Sequence, residues 1–230
     1  MKYIIFFLTI VSIMGYQNSV AQNPLSQNTQ VEVNVGWVTP FLQSGSELMR
    51  AENLRDNGQS YFAGEDGNRR EVGDYSSLSG ISFGIGFYKP TKVKGLMLGA
   101  VVRNAQTGST PEQGEEAEAY YFNFLTAGAA AKYYPFTENN LFLRGEVGLG
   151  AVWTKNRFLA EGRDQQFFHQ FGIGSAGSIG LGYTFTPFKN STAIELQTVY
   201  QQLSTRVEVN GIGDDTWRFG ALNIGATIIF

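Results

Sequence analysis

From Gln30 to Phe230, apolar residues alternate with glycine, serine or polar residues at a period of two, and helical periodicity is nearly absent. That period sends successive side chains to opposite faces of a strand, so the chain folds into sheet with two unlike faces. The clearest runs set Val31, Val33, Val35 and Trp37 against Glu32, Asn34 and Gly36, and Ile81, Phe83, Ile85 and Phe87 against Ser82, Gly84, Gly86 and Tyr88. Further runs start at Leu96, Leu125, Leu141, Phe171, Ile194 and Leu222, which makes eight strands in all.

The connections between these strands alternate in length. A long segment, 39–76, follows the first strand; then come a tight KPTKV, a long polar stretch from Ala105 to Glu118, a tight PFTEN, a medium loop, a tight PFKNS and another medium loop. A strand crosses a bilayer in about 9 to 11 tilted residues, and alternating short and long connections belong to barrels whose turns and loops face different compartments. The pattern predicts an all-β fold, an eight-stranded antiparallel up-and-down transmembrane β-barrel with short periplasmic turns and long outer loops.

Which face points outward follows from composition. The chain carries 28 glycines, 18 phenylalanines and 11 tyrosines with only 16% charged residues. A soluble barrel such as a lipocalin lines its cavity with apolar groups and keeps charges outside. Here the less apolar face is mostly glycine and serine, which suits a narrow interior and not a water-facing exterior, so the apolar face is placed outward. Aromatic residues collect at strand ends as two girdles. Tyr88, Tyr133, Tyr134, Phe136, Phe185 and Phe188 lie by the short turns, and Trp37, Trp153, Phe167 and Phe168 by the long loops. Trp217 and Phe219 stand apart, because counting back from Phe230 gives them inward parity; a bulge or an extension above the membrane would explain it.

The first 21 residues read as an export signal. Lys2 precedes an apolar run from Ile4 to Met14, and Ser19, Val20 and Ala21 offer the small residues of a cleavage site. That run is too short to span a bilayer as a helix, which takes roughly 20 residues. The expected division is 1–21 signal peptide and 22–230 barrel domain, placing the protein in a Gram-negative cell outer membrane. The absence of cysteine excludes disulfides and thiolate metal sites, and a formal charge of −3 gives no basic footprint for nucleic acid.

With these residues in view, the chain resembles the small outer-membrane β-barrel family of the OmpA and OmpX kind, a porin-like β-barrel domain, over almost all of residues 29–230. In that family the barrel-assembly machinery recognises a terminal aromatic strand; NIGATIIF fits, with Ile224, Ile228 and Phe230 on one face as the implied assembly signal. The chain departs from the longer OmpA-like members in ending at Phe230, so a peptidoglycan tether is not expected.

Six charges fall on the inward face, three of each sign: Glu32, Arg103, Lys132, Arg144, Glu146 and Glu195. All but Arg103 lie in the half nearer the short turns. An unpaired charge in a narrow lumen is costly, so these predict an ion-paired plug with partners supplied by neighbouring strands. Gly172, Gly174 and Gly177 spell GxGxxG but lie inside a strand, where no helix terminus can meet phosphate. His169 is the sole histidine. Outer-membrane lipid A deacylases and palmitoyl transferases pair histidine with serine, yet Phe171 occupies the position where the deacylase pattern has serine, so His169 reads as part of an aromatic rim.

The segment 39–76 is the expected seat of an envelope protein partner. Ser44 and Glu47 could cap a short helix ended by Gly58, and EDGN at 65–68 reads as a turn because it lacks the ligand spacing of a calcium loop. No catalytic, metal or cofactor site is expected. Outer-membrane lipid, lipopolysaccharide and the assembly machinery are the expected partners. The leading functional reading is a structural or surface-interaction barrel, not an enzyme; a narrow channel for ions or small solutes is the second, and a lipid A-modifying enzyme the third.

Overall fold

The computed structural model describes residues 28–44, 79–109, 112–113, 116–136, 140–159, 166–186, 192–209 and 213–230. Eight long strands follow one another: β1 (Gln30–Ser44), β2 (Ser79–Pro90), β3 (Leu96–Ser109), β4 (Glu116–Tyr133), β5 (Leu141–Leu159), β6 (Gln166–Phe185), β7 (Ala193–Val209) and β8 (Gly213–Ile229). A two-residue piece, Glu112–Gln113, folds back on the start of β4. Each long strand pairs antiparallel with its neighbours in sequence, and β1 pairs with β8, so the sheet closes and leaves no edge along the shared ladder. This is the eight-stranded up-and-down barrel expected from the alternation.

The pairing also fixes the tilt. Following partners around the ring from Leu196 leads through Ala226, Val35, Phe83, Asn104, Leu125, Ala151 and Ile173 to Arg206, ten residues further along the same strand. Ten steps of about 3.3 Å set against eight strand spacings of about 4.8 Å tilt the strands by about 40°, and each residue then climbs about 2.5 Å.

The faces separate sharply. Val147 and Leu149 are 70% and 68% exposed, whereas Lys132, Glu32 and Glu195 are fully buried inside. Val33, Ile85, Phe171, Ile179, Leu181 and Ile224 continue the outer apolar surface around the ring. So extensive an exposed apolar surface is a lipid-facing band and not the exterior of a water-soluble barrel. Glycine makes the narrow interior fit: a Cβ on Gly150 or Gly182 would collide with the Leu203 or Phe142 side chain.

The sequence boundaries need correction at the outer end. Thr39–Ser44 belong to β1, not to the long connection, and pair with Arg218 to Leu222 of β8 across an irregularity between Leu42 and Ser44. Ala105–Ser109 and Glu116–Glu118 are strand as well. The ladder runs on past the end of the apolar face, because above the lipid the outward side chains can be polar and solvated without any loss of pairing. The rest of the long connection, with Glu47, Gly58 and 65–68, lies outside the described residues, as do the export signal at 1–21 and Phe188.

At the short-turn end, Thr91 N donates to Leu96 O (3.0 Å), Leu96 N to Val93 O (3.1 Å) and Val93 N to Thr91 Oγ1 (3.1 Å). Gly95 has φ = 77°, which favours glycine on backbone grounds, and a Cβ there would strike the Tyr134 carbonyl.

Candidate functional site

The inward face holds all six charges in one connected network, five in the lower half and Arg103 joining them from the level of Thr126. Lys132 and Arg144 are direct cross-strand partners on β4 and β5, so two cations stand side by side on one wall. Glu32 on β1 and Glu195 on β7 face them from the other. Lys132 Nζ lies 2.9 Å from both Glu195 carboxylate oxygens and also contacts Glu32 Oε1. Arg144 NH2 is 3.5 Å from Glu32 Oε2, and its Nε is 2.8 Å from Glu146 Oε1. Arg103 NH2 donates to the same Glu146 oxygen at 2.8 Å.

Apart from the Arg144 and Glu146 contact within β5, these pairs cross the lumen or skip a strand. The expectation that neighbouring strands supply the partners is therefore corrected. The reason is local: adjacent Lys132 and Arg144 repel, and long side chains in a narrow barrel reach the opposite wall. Equal numbers of the two signs leave the network neutral, the condition under which buried charges are tolerated.

Two aromatic residues expected in the lower girdle belong to this network instead. Tyr88 and Tyr134 are buried inside. Tyr88 OH accepts from Arg144 NH2 at 2.5 Å, and Tyr134 OH donates to Glu195 Oε1 at 3.0 Å. Lys132 Nζ sits 4.9 Å from the Tyr88 ring centroid and 5.0 Å from that of Phe142, which adds cation–π contact. Gln197 Oε1 accepts from Arg144 NH1 at 2.7 Å while its Nε2 donates to Thr227 Oγ1 at 3.0 Å. Tyr133 and Phe136 do face outward.

The upper half is closed differently. Phe122, Phe124, Trp217 and Phe219 all point inward and are buried. Phe219 packs edge-on against the other three, with centroids 6.0, 5.3 and 5.8 Å from Phe122, Phe124 and Trp217. Val38, Val152, Leu203 and Val207 are buried inward residues of the same half. The inward parity of Trp217 and Phe219 is real: the β7 to β8 register runs unbroken past them. Phe122 and Phe124 were missed because the fourth strand was begun at Leu125, and counting up from Lys132 by twos would have found them. Between the two levels lies a cavity of about 10 Å³ bordered by Thr126, Glu146, Ser178 and Gln201, room for about one water. Gln201 Nε2 donates to Thr126 Oγ1 across this level at 3.1 Å.

The remaining sequence features fall elsewhere. The GxGxxG residues lie in β6 in unbroken pairing with β7, from Gly172 opposite Val207 to Gly177 opposite Gln202. His169 is exposed on the outside of β6, directly opposite Lys155. Ile224, Ile228 and Phe230 lie on the outer face, and Phe230 exchanges backbone hydrogen bonds with Val31 where the ring closes (3.0 and 3.3 Å).

No protein-family model matches the chain, and no curated protein matches it. Solved structures similar to it include the attachment invasion locus protein Ail of Yersinia pestis in complex with the heparin analogue sucrose octasulfate. The two share 14% identity at a TM-score of 0.49, over 88% of this chain and 99% of that one. Neisserial surface protein A is similar at 16% identity and a TM-score of 0.42, over 88% and 97%. The outer membrane protease OmpT of Escherichia coli is similar at 8% identity and a TM-score of 0.41, over 92% and 98%. At these identities the likeness concerns the fold and not any activity.

Proposed function

We propose that this chain is an exported outer-membrane barrel with a structural or surface-interaction role, not an enzyme, and that it offers no through path to ions or solutes. One observation carries the reading: the lumen is filled at two levels by unlike means, a neutral ion network below and interlocked aromatic rings above. A conducting barrel needs a continuous polar path, and here a charged species would have to displace both. Function then resides in what the barrel presents outside, with lipid and lipopolysaccharide around the apolar band and an envelope protein partner at segment 39–76. Ile224, Ile228 and Phe230 serve as the signal to the assembly machinery.

Planar-bilayer recording of the chain from Gln22 onward, with folding verified by gel mobility, tests the reading. It predicts silence at physiological voltages. Discrete conductance steps that change on Arg144→Gln or Phe219→Ala substitution would establish the narrow-channel alternative instead.

A further inference from the structure

The outward faces of β3 to β6 change character near their outer ends. Trp153 is ten residues along β5 from Leu143, a rise of about 25 Å at the tilt derived above, which matches the height of a barrel's apolar band. Around it, two successive rows of the ladder carry polar and aromatic groups. The lower row runs Gln106, Asn123, Trp153, and the upper Tyr121, Lys155, His169, each residue directly opposite the next. All six border one concavity of about 830 Å³ on the outer surface, with the apolar Ile81 at its lower edge.

From this grid we infer a binding site for a phosphorylated glycolipid of the outer leaflet. The inference rests on the outer-membrane placement proposed above and gives the lipopolysaccharide contact named there a defined site and its residues. The order of the groups along the membrane normal argues for an amphiphile. Lys155 and His169 stand above the apolar band, at headgroup height, where an ammonium and an imidazole donor meet phosphate oxygens. One row lower, the Gln106 and Asn123 amides and the Trp153 ring offer hydrogen bonds and a flat apolar surface, the pairing that suits a sugar ring. Below them Ile81 and the lipid-facing wall continue into acyl-chain depth. A soluble anion would use the upper row alone and leave the lower apolar surface uncovered.

The test uses the chain with Trp37→Phe and Trp217→Phe, so that Trp153 is the only indole reporter. Folded in neutral-lipid micelles, it is titrated with diphosphorylated lipid A and followed by fluorescence. Saturable binding is expected, at least ten-fold weaker in the Lys155→Ala, His169→Ala double variant and weaker again for lipid A stripped of phosphate. Lys94→Ala, in a turn at the other end of the barrel, should bind as the parent does. The proposal is overturned if the double variant binds within two-fold of the parent or the dephosphorylated lipid binds equally. It is also overturned if inorganic phosphate or a soluble phosphorylated glycan produces the same saturation, or if the signal tracks protein concentration and so reports a second copy. The lumen is not involved, so a failure here is separate from a failure of the conductance test.

Discussion

Substituting Lys132 by methionine removes the cation that two carboxylates share. Its ammonium lies 2.9 Å from both Glu195 oxygens and contacts Glu32, with all three side chains fully buried. Methionine keeps most of the volume, so packing changes little and the electrostatic effect dominates. Among the described residues, Glu195 would retain only the hydroxyls of Tyr134 and Thr184, at 3.0 and 3.2 Å, and Glu32 would retain Arg144 at 3.5 Å. Removing one partner from a buried ion pair costs about 3 to 5 kcal/mol, because the charge left behind cannot return to water. Urea unfolding of the barrel in lipid vesicles, read by the gel mobility of unboiled samples, should show the midpoint falling accordingly. Adding Glu195→Gln to Lys132→Met leaves Arg103 and Arg144 against Glu32 and Glu146, a neutral set, and should recover most of the loss. If the single variant unfolds within about 1 kcal/mol of the parent, the network does not hold the lower lumen; if the double variant is no better than the single, the cost is steric.

Phe219→Ala removes the ring at the centre of the aromatic level and should cost about 3 to 5 kcal/mol in the same assay, as large-to-small changes in packed interiors do. Trp217→Phe should stay within about 1 kcal/mol, because the indole Nε1 has no hydrogen-bond partner among the described residues; a larger loss would reveal one. Val147→Arg, on the lipid face near mid-height, should destabilise the barrel by about 2 to 4 kcal/mol in vesicles, and an unchanged midpoint would mean that β5 does not face lipid there.

The strands, their antiparallel order and the direction of each face were legible because period-two alternation reports the pleat directly. Glycine on one face then settled which side was inside. What the sequence hid was of two kinds. Strand ends above the membrane were hidden because water satisfies an exposed ladder without any apolar signal, so Thr107 and Arg206 looked like loop. Pairing within the lumen was hidden because it depends on which residues of opposite walls share a height, and that follows from the ten-residue stagger of the whole ring. Lys132 and Glu195 meet for this reason although 63 positions separate them. Tyr88 shares the parity of Ser82 and Gly84 and is buried as Ser82 is; nearness to a turn is a weaker guide to a girdle than the face a residue shares.

The chain has no cysteine, so one introduced thiol reports its own surroundings. Thr126→Cys places that thiol between the ionic and aromatic levels, and Lys94→Cys places a control in an exposed turn. With a charged, membrane-impermeant thiol reagent supplied to both sides of permeabilised vesicles, the account predicts rapid labelling at 94. It predicts labelling at 126 at least a hundred-fold slower, rising to the control rate only after urea unfolding. Comparable rates at the two positions in the folded barrel would contradict it, because they would mean that water and solutes reach the middle of the lumen.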